Sequence, residues 1–213
     1  MILYHGTTTP VDVIRSKGLR AHSPEMVLDF LLMRVRNPLA VANDLRKALT
    51  RGKKPFWEVG TVRFSAYRRD VMEYASAPPE VLSHVFLDNL PTPLALEAIT
   101  ALMEVRDGRV FGKVVTVDIP SPHDIDPSLP LTWEEYMEPQ IKGFGKRSAW
   151  SEIAFRGDVG PQYITDISYA YEGTLRKSLR ETVTWWIEGG LEPEEPGDLE
   201  RTLEVVKEFL KSR

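Results

Sequence analysis

No cysteine occurs in the 213 residues, which excludes disulfide bridges, thiolate nucleophiles and zinc–thiolate centres. There is no run of about 18 apolar residues, so nothing in the sequence is expected to span a bilayer. The opening lacks a basic leader and its apolar run is too short for a secretory signal, so the expected setting is cytoplasmic. Excess charge is also missing: 27 Lys and Arg against 31 Asp and Glu leave a formal −4, which gives no global attraction to nucleic acid or anionic membrane. What is present is 42% hydrophobic residues, enough for one sizeable core or one core with an appended helical piece. Sixteen prolines with abundant Glu, Arg and Lys follow the composition trend of thermophile proteins.

The chain is organised around its beginning. Ile2, Leu3 and Tyr4 are strand-prone and run into His5-Gly6, placing an imidazole and an unhindered backbone at a strand end. Thr9 reads as a capping hydroxyl, Pro10 as the first helical residue and Asp12 as the acid three residues after the cap. The short helix stops at Gly18, where glycine takes a positive φ. Taken alone, His5 reads first as an ordinary polar residue at a strand end.

Residues 24–52 read as helical with a break at Asn37-Pro38, and residues 79–106 as helical with a break at Pro91-Thr92-Pro93. Both are expected to insert into, or cover, a sheet. Residues 34–54 form the most basic stretch, with Arg34, Arg36, Arg46, Lys47, Arg51, Lys53 and Lys54. Such charges usually mark a solvated helix face, and otherwise a surface for an acidic or nucleic-acid partner. Residues 60–65 read as a strand and 68–76 as a helix with Val71, Tyr74 and Ala75 on one side. The β-branched run 110–119 suits a central strand buried on both faces. His123, Asp124 and Asp126 are metal-capable types, but Asp126 before proline is explained by a turn. Further strands are expected over 150–159 and from 164 through 171, and amphipathic helices beyond Gly173, split by an acidic, proline-containing linker.

Three segments together resemble the ADP-ribosyltransferase superfamily, the fold shared by poly(ADP-ribose) polymerases and diphtheria-like toxins. Leu3, Tyr4, His5, Gly6 and Thr7, with Ile14 and Gly18-Leu19, resemble its opening, whose histidine and glycine sit in the NAD pocket. Gly60 through Ala75 resembles the glycine-containing strand followed by a Tyr-Ala. By the polymerase spacing, Arg63 stands in place of the strand tyrosine, Tyr74 in place of the second ring, and Val71 in place of the serine that holds the carboxamide. Phe64, Ser65 and Ala66 resemble the strand-serine motif of the toxin branch. Ser151-Glu152 at a strand start, with Val159, Pro161, Tyr163 and Ile164 behind it, resembles the segment carrying the catalytic glutamate. Trp150 stands where the arginine-modifying toxins have a second glutamate.

The resemblance implies an α+β fold with a split antiparallel sheet. It implies a domain over 1–172, with the two helical insertions, and a helical extension over 173–213. It implies Glu152 and His5 as catalytic residues, and His5, Gly6, Thr7, Arg63, Phe64, Ser65 and Tyr74 as NAD-binding ones. NAD is then a substrate, no metal is required, and the other partner is a macromolecular acceptor, a nucleic acid or a side chain other than arginine. Nicotinamide leaves a cationic pyridinium as a neutral ring, so one carboxylate at the ribose suffices where O-glycoside hydrolysis uses two carboxyls. RNA 2′-phosphotransferases share the His-Gly-Thr opening and the Val-x-Pro-x-Tyr-Ile ending. The departures at Arg63 and Val71 also fit an inactive NAD- or ADP-ribose-binding module.

Overall fold

The valine-rich run lies at the centre of a sheet, as its two-sided apolarity requires. A computed structural model describes residues 1–21, 23–51, 61–72, 74–76, 80–144, 153–189 and 198–212. In chain order the strands are β1 (Ile2–Thr7), β2 (Thr61–Phe64), β3 (Val105–Arg106), β4 (Arg109–Asp118), β5 (Ile153–Arg156) and β6 (Ile164–Thr174). The helices are α1 (Val11–Lys17), α2 (Pro24–Leu32), α3 (Pro38–Arg51), α4 (Glu80–Asn89), α5 (Thr92–Ala101), α6 (Trp133–Phe144), α7 (Leu175–Gly189) and α8 (Asp198–Lys211). The fold is α+β, and every strand pair is antiparallel.

β4 lies between β1 and β6, with β3 folded back on its start. Val110, Val114, Val115 and Val117 are fully buried. The β3–β4 hairpin turns through Asp107 and Gly108, both at positive φ, as an Asp-Gly turn does when its twist matches the strands. β2 and β5 form a separate two-stranded ladder. The two sheets meet where Tyr4 and Ser65 exchange backbone hydrogen bonds of 2.9 Å in each direction.

Two cores follow. On one side Leu3, Val115 and Val117 of the larger sheet pack with Val62, Phe64, Ile153 and Phe155 of the smaller one, closed by Ile14, Leu19 and Met137. The other core is helical: α2, α3, α4, α5, α7 and α8 share one apolar cluster with Val110 of β4. The two inserted helical stretches and the C-terminal helices therefore pack as one layer.

Several local expectations change. β1 runs through His5-Gly6 and ends one residue later, at Thr7, because β4 pairs with it as far as Lys113. Thr9 does not cap α1; Pro10 is the N-cap and no side chain caps it, since the Thr7 and Thr9 hydroxyls bond each other at 2.9 Å. Residues 68–76 are not an α-helix. They form two 3₁₀ turns, Arg68–Val71 and Tyr74–Ser76, which bury Val71 and Ala75 and leave Tyr74 64% exposed. Gly18 ends α1 at φ 75°, and any side chain there would stand 2.1 Å from the Val159 carbonyl oxygen. Among the described residues no helix is long and apolar enough to cross a membrane.

Candidate functional site

The fork between the two sheets collects most of the residues singled out in the sequence. Because Tyr4 directs both its N–H and its C=O at Ser65, it turns them away from β4. Backbone direction alternates along a strand, so Gly6 turns its N–H and C=O to that same side, past the last bridge between the sheets. Among the described residues no ladder or bridge partner meets Gly6 there. The other direction at Gly6 is closed. A methyl group on its Cα would stand 2.3 Å from the Val71 carbonyl oxygen, 2.8 Å from the Ala75 nitrogen and 3.1 Å from Tyr74 Cβ. The first 3₁₀ turn and the second therefore lie directly on the Gly6 backbone, and the Tyr74 side chain springs from beside it into solvent.

His5, on the opposite face, is half-buried. Its ring lies 5.8 Å from that of Phe64, and its Nδ1 is 2.8 Å from the Arg63 carbonyl oxygen. A carbonyl oxygen only accepts, so Nδ1 carries the proton and Nε2 of the neutral ring is an acceptor. Burial holds the imidazole below its ordinary pKa of 6.5, and the Arg63 bond opposes that shift only in part. At neutral pH the ring is thus an uncharged acceptor of fixed tautomer.

The other expected site residues divide into those facing the fork and those supporting it. Arg63 is exposed, on the face of β2 away from the buried Val62 and Phe64. Phe64 is 2% exposed and packs its ring edge-on against Phe155, so it supports His5 from the core. Ser65 is buried; its hydroxyl accepts from the Tyr67 backbone N–H at 3.0 Å and donates to Asp70 at 3.3 Å. That bonding sets the turn that carries the chain over Gly6. The Thr7 hydroxyl is held by Thr9. Glu152, the expected catalytic carboxylate, lies outside the described residues, as do Trp150 and Gly60. The residue after Glu152, Ile153, pairs with Phe64.

The sequence reading missed a buried ion pair at the end of β1. Lys113 is fully buried on β4; its ammonium donates to Glu104 at 2.6 Å, the Phe111 carbonyl at 2.8 Å and the Thr8 carbonyl at 3.3 Å. Glu104 also pairs with Arg106, and its N–H donates to Thr8 O at 2.8 Å. A cavity of about 430 Å³ opens beside this cluster, lined among others by Asp12, Arg34, Glu104 and Arg106. Its charges are largely answered from within, since Arg34 donates to the Ala101 carbonyl at 2.6 Å and Glu104 is shared by two cations. We read the cluster as the anchor of the chain leaving His5-Gly6-Thr7, rather than as a second reaction site. The signal was a lysine inside a strand buried on both faces, which requires an anion nearby.

The residues considered as a metal group are engaged otherwise. Ser121 and Asp124 form a reciprocal cap, Asp126 accepts from Ser128, and His123 Nδ1 is 3.0 Å from the Leu129 carbonyl. Of the basic stretch, Arg34 and Arg36 lie between α2 and α3, where the Arg36 N–H donates to Glu97 and its guanidinium to the Ser212 carbonyl; Arg46 and Lys47 are exposed on α3, and Lys53 and Lys54 lie outside the described residues. No protein-family model matches the chain, and no curated protein matches it in sequence.

Proposed function

We propose that the chain is an NAD-dependent ADP-ribosyltransferase with the split-sheet fold its sequence resembles. One observation carries the reading. At the fork between two antiparallel sheets, a glycine with its backbone turned into the gap stands next to a neutral histidine of fixed tautomer, with an exposed tyrosine springing from beside the glycine. A carboxamide has one donor and one acceptor group, and the N–H and C=O of Gly6 match them at a point where no side chain stands in the way. The Nε2 of His5 accepts from a ribose hydroxyl. Tyr74 offers an aromatic face to a planar ring, and Arg63 a guanidinium to a pyrophosphate.

NAD supplies a pyridinium that leaves as neutral nicotinamide, so the protein need not protonate a leaving group. What the protein must supply is negative charge near the ribose as positive charge develops there. We assign that task to Glu152. The separation of roles gives the test. Glu152→Gln keeps shape and ground-state contacts and removes charge, so kcat for nicotinamide release falls by about 10²-fold or more with NAD affinity nearly unchanged. His5→Ala weakens NAD binding measured by calorimetry. No NAD binding at millimolar ligand, or nicotinamide release indifferent to Glu152→Gln, refutes the assignment.

A further inference from the structure

The turn that covers Gly6 does more than bury Val71 and Ala75. Between β2 and that contact it displays Tyr67, 52% exposed, and Arg68 and Arg69, both exposed. The Arg69 guanidinium lies 5.9 Å from the centre of the Tyr67 ring, and its Nε donates to Asp70 at 3.2 Å. Arg68 reaches the other way and donates to the Ser168 hydroxyl of β6 at 3.1 Å. These side chains are presented by a fixed backbone, because Ser65 holds both the Tyr67 N–H and Asp70. Among the described residues of this turn, Arg68 and Arg69 are exposed and Asp70 is the acid between them and Val71, in a chain of net charge −4. Among the described residues of the other basic stretch, the ring against a cation is Phe30, part-buried beneath Arg34.

We infer that Tyr67, Arg68 and Arg69 form a binding surface for single-stranded nucleic acid, the acceptor presented to the Gly6 fork. A flat ring with a guanidinium over it, and a second arginine on the next residue directed towards β6, combines base stacking with phosphate neutralisation, the pairing by which proteins hold single strands. An acidic peptide uses the arginines but has no use for the ring. A duplex keeps its base faces stacked inside and offers the ring nothing. The role of acceptor rests on the ADP-ribosyl-transfer reading; the binding itself does not. In the transfer, a strand oxygen or nitrogen forms the new bond to the ribose C1′. The bond from C1′ to nicotinamide breaks with its electron pair leaving on nicotinamide, and the acceptor's proton passes to water.

The experiment uses the full chain and fluorescently labelled strands of about 12 nucleotides, within the span such surfaces cover: oligo-deoxythymidine, oligo-uridine, a duplex of equal length, and poly-glutamate as competitor. Anisotropy is expected to show one or both single strands bound more tightly than the duplex and resistant to poly-glutamate. Tyr67→Leu weakens binding by about 5- to 100-fold and Tyr67→Phe restores it. Arg69→Ala lowers the slope of log affinity against log salt by about 0.7. NAD affinity is unchanged in all three variants. With labelled NAD, label appears on the bound strand. Strand binding that is indifferent to Tyr67→Leu, or displaced equally by poly-glutamate, overturns the surface. Label that avoids the strand while nicotinamide release continues overturns its role as acceptor. Absence of NAD binding with Tyr67-dependent strand binding intact keeps the surface and removes the transferase reading instead.

Discussion

Glu104→Leu is expected to destabilise the protein more than Lys113→Met, and the double variant is expected to recover most of either loss. The Lys113 side chain is fully buried and that of Glu104 is 6% exposed, so neither charge has water to fall back on. Removing one partner of a buried pair costs about 3–5 kcal/mol, chiefly because the survivor is left uncompensated. The two survivors are not equally placed. Without Lys113, Glu104 keeps Arg106, which puts that loss near the low end. Without Glu104, the Lys113 ammonium has only the Phe111 and Thr8 carbonyls, which puts its loss near the high end. At about 2–4 °C per kcal/mol for a domain of this size, Lys113→Met lowers Tm by roughly 6–12 °C and Glu104→Leu by roughly 10–20 °C. In the double variant no charge is stranded, and apolar replacement of a buried pair is often neutral. Thr8 O still accepts the N–H of residue 104. Thermal unfolding followed by circular dichroism gives the three values. A Glu104→Leu loss below about 1 kcal/mol, or a double variant that loses the sum of the singles, refutes the coupling.

Gly6→Ala is expected to cost at least about 1–3 kcal/mol and to abolish NAD binding. Two of the three atoms its Cβ would meet belong to the backbone of the 3₁₀ turns, and these cannot swing aside; denaturant unfolding and calorimetry read the two effects separately. For His5, burial sets the folded pKa below the ordinary 6.5, so the unfolded chain binds the proton first as pH falls. Stability is full above about 6.5, declines as pH drops towards the folded value, and is flat below it. His5→Asn, which keeps a donor for the Arg63 carbonyl but does not titrate, is expected to flatten that decline; equal pH slopes for the two proteins contradict the account.

What the sequence disclosed depended on how local its cause was. Breaks at Asn37-Pro38 and Pro91 were legible because proline acts on its own neighbours, and α2, α3, α4 and α5 begin and end around them. The central strand was legible because β-branched residues in a row leave no polar face. The ion pair was not, because Glu104 reaches Lys113 only through the hairpin at Asp107-Gly108. The turns over 68–76 were read as one helix because their apolar spacing fits either. The deciding facts lie elsewhere in the chain: the missing Cβ of Gly6 admits the Val71 carbonyl, and Ser65 takes Tyr67 N–H and Asp70. Of the residues expected at a site, His5, Gly6, Arg63 and Tyr74 lie around the fork, whereas the supporting places of Phe64, Ser65 and Thr7 depend on packing that spacing does not encode.

The fork is where the argument for a ligand is strongest on physical grounds alone. β1 serves two sheets, laddered along β4 on one edge and bridged to the β2 ladder on the other at Tyr4–Ser65. Were β2 to continue alongside, its next residue opposite β1 would satisfy Gly6. Instead Arg63 offers its carbonyl to the His5 ring, and among the described residues no ladder or bridge partner faces the strand edge at Gly6. Backbone groups turned inwards from a strand edge need a partner, and a glycine whose other side is sealed by two backbone atoms cannot tilt to find one. The histidine next to it is likewise fixed, by one nitrogen, with its other left to accept. On the proposed reading, the Gly6 N–H and C=O and the His5 acceptor, on adjacent residues of β1, suit an amide joined to a hydroxylated sugar, with the Tyr74 ring on the face of the strand opposite His5. The proposed NAD contacts at His5 and Gly6 do not depend on the role proposed for Glu152, which is why NAD binding and nicotinamide release are best measured as separate quantities.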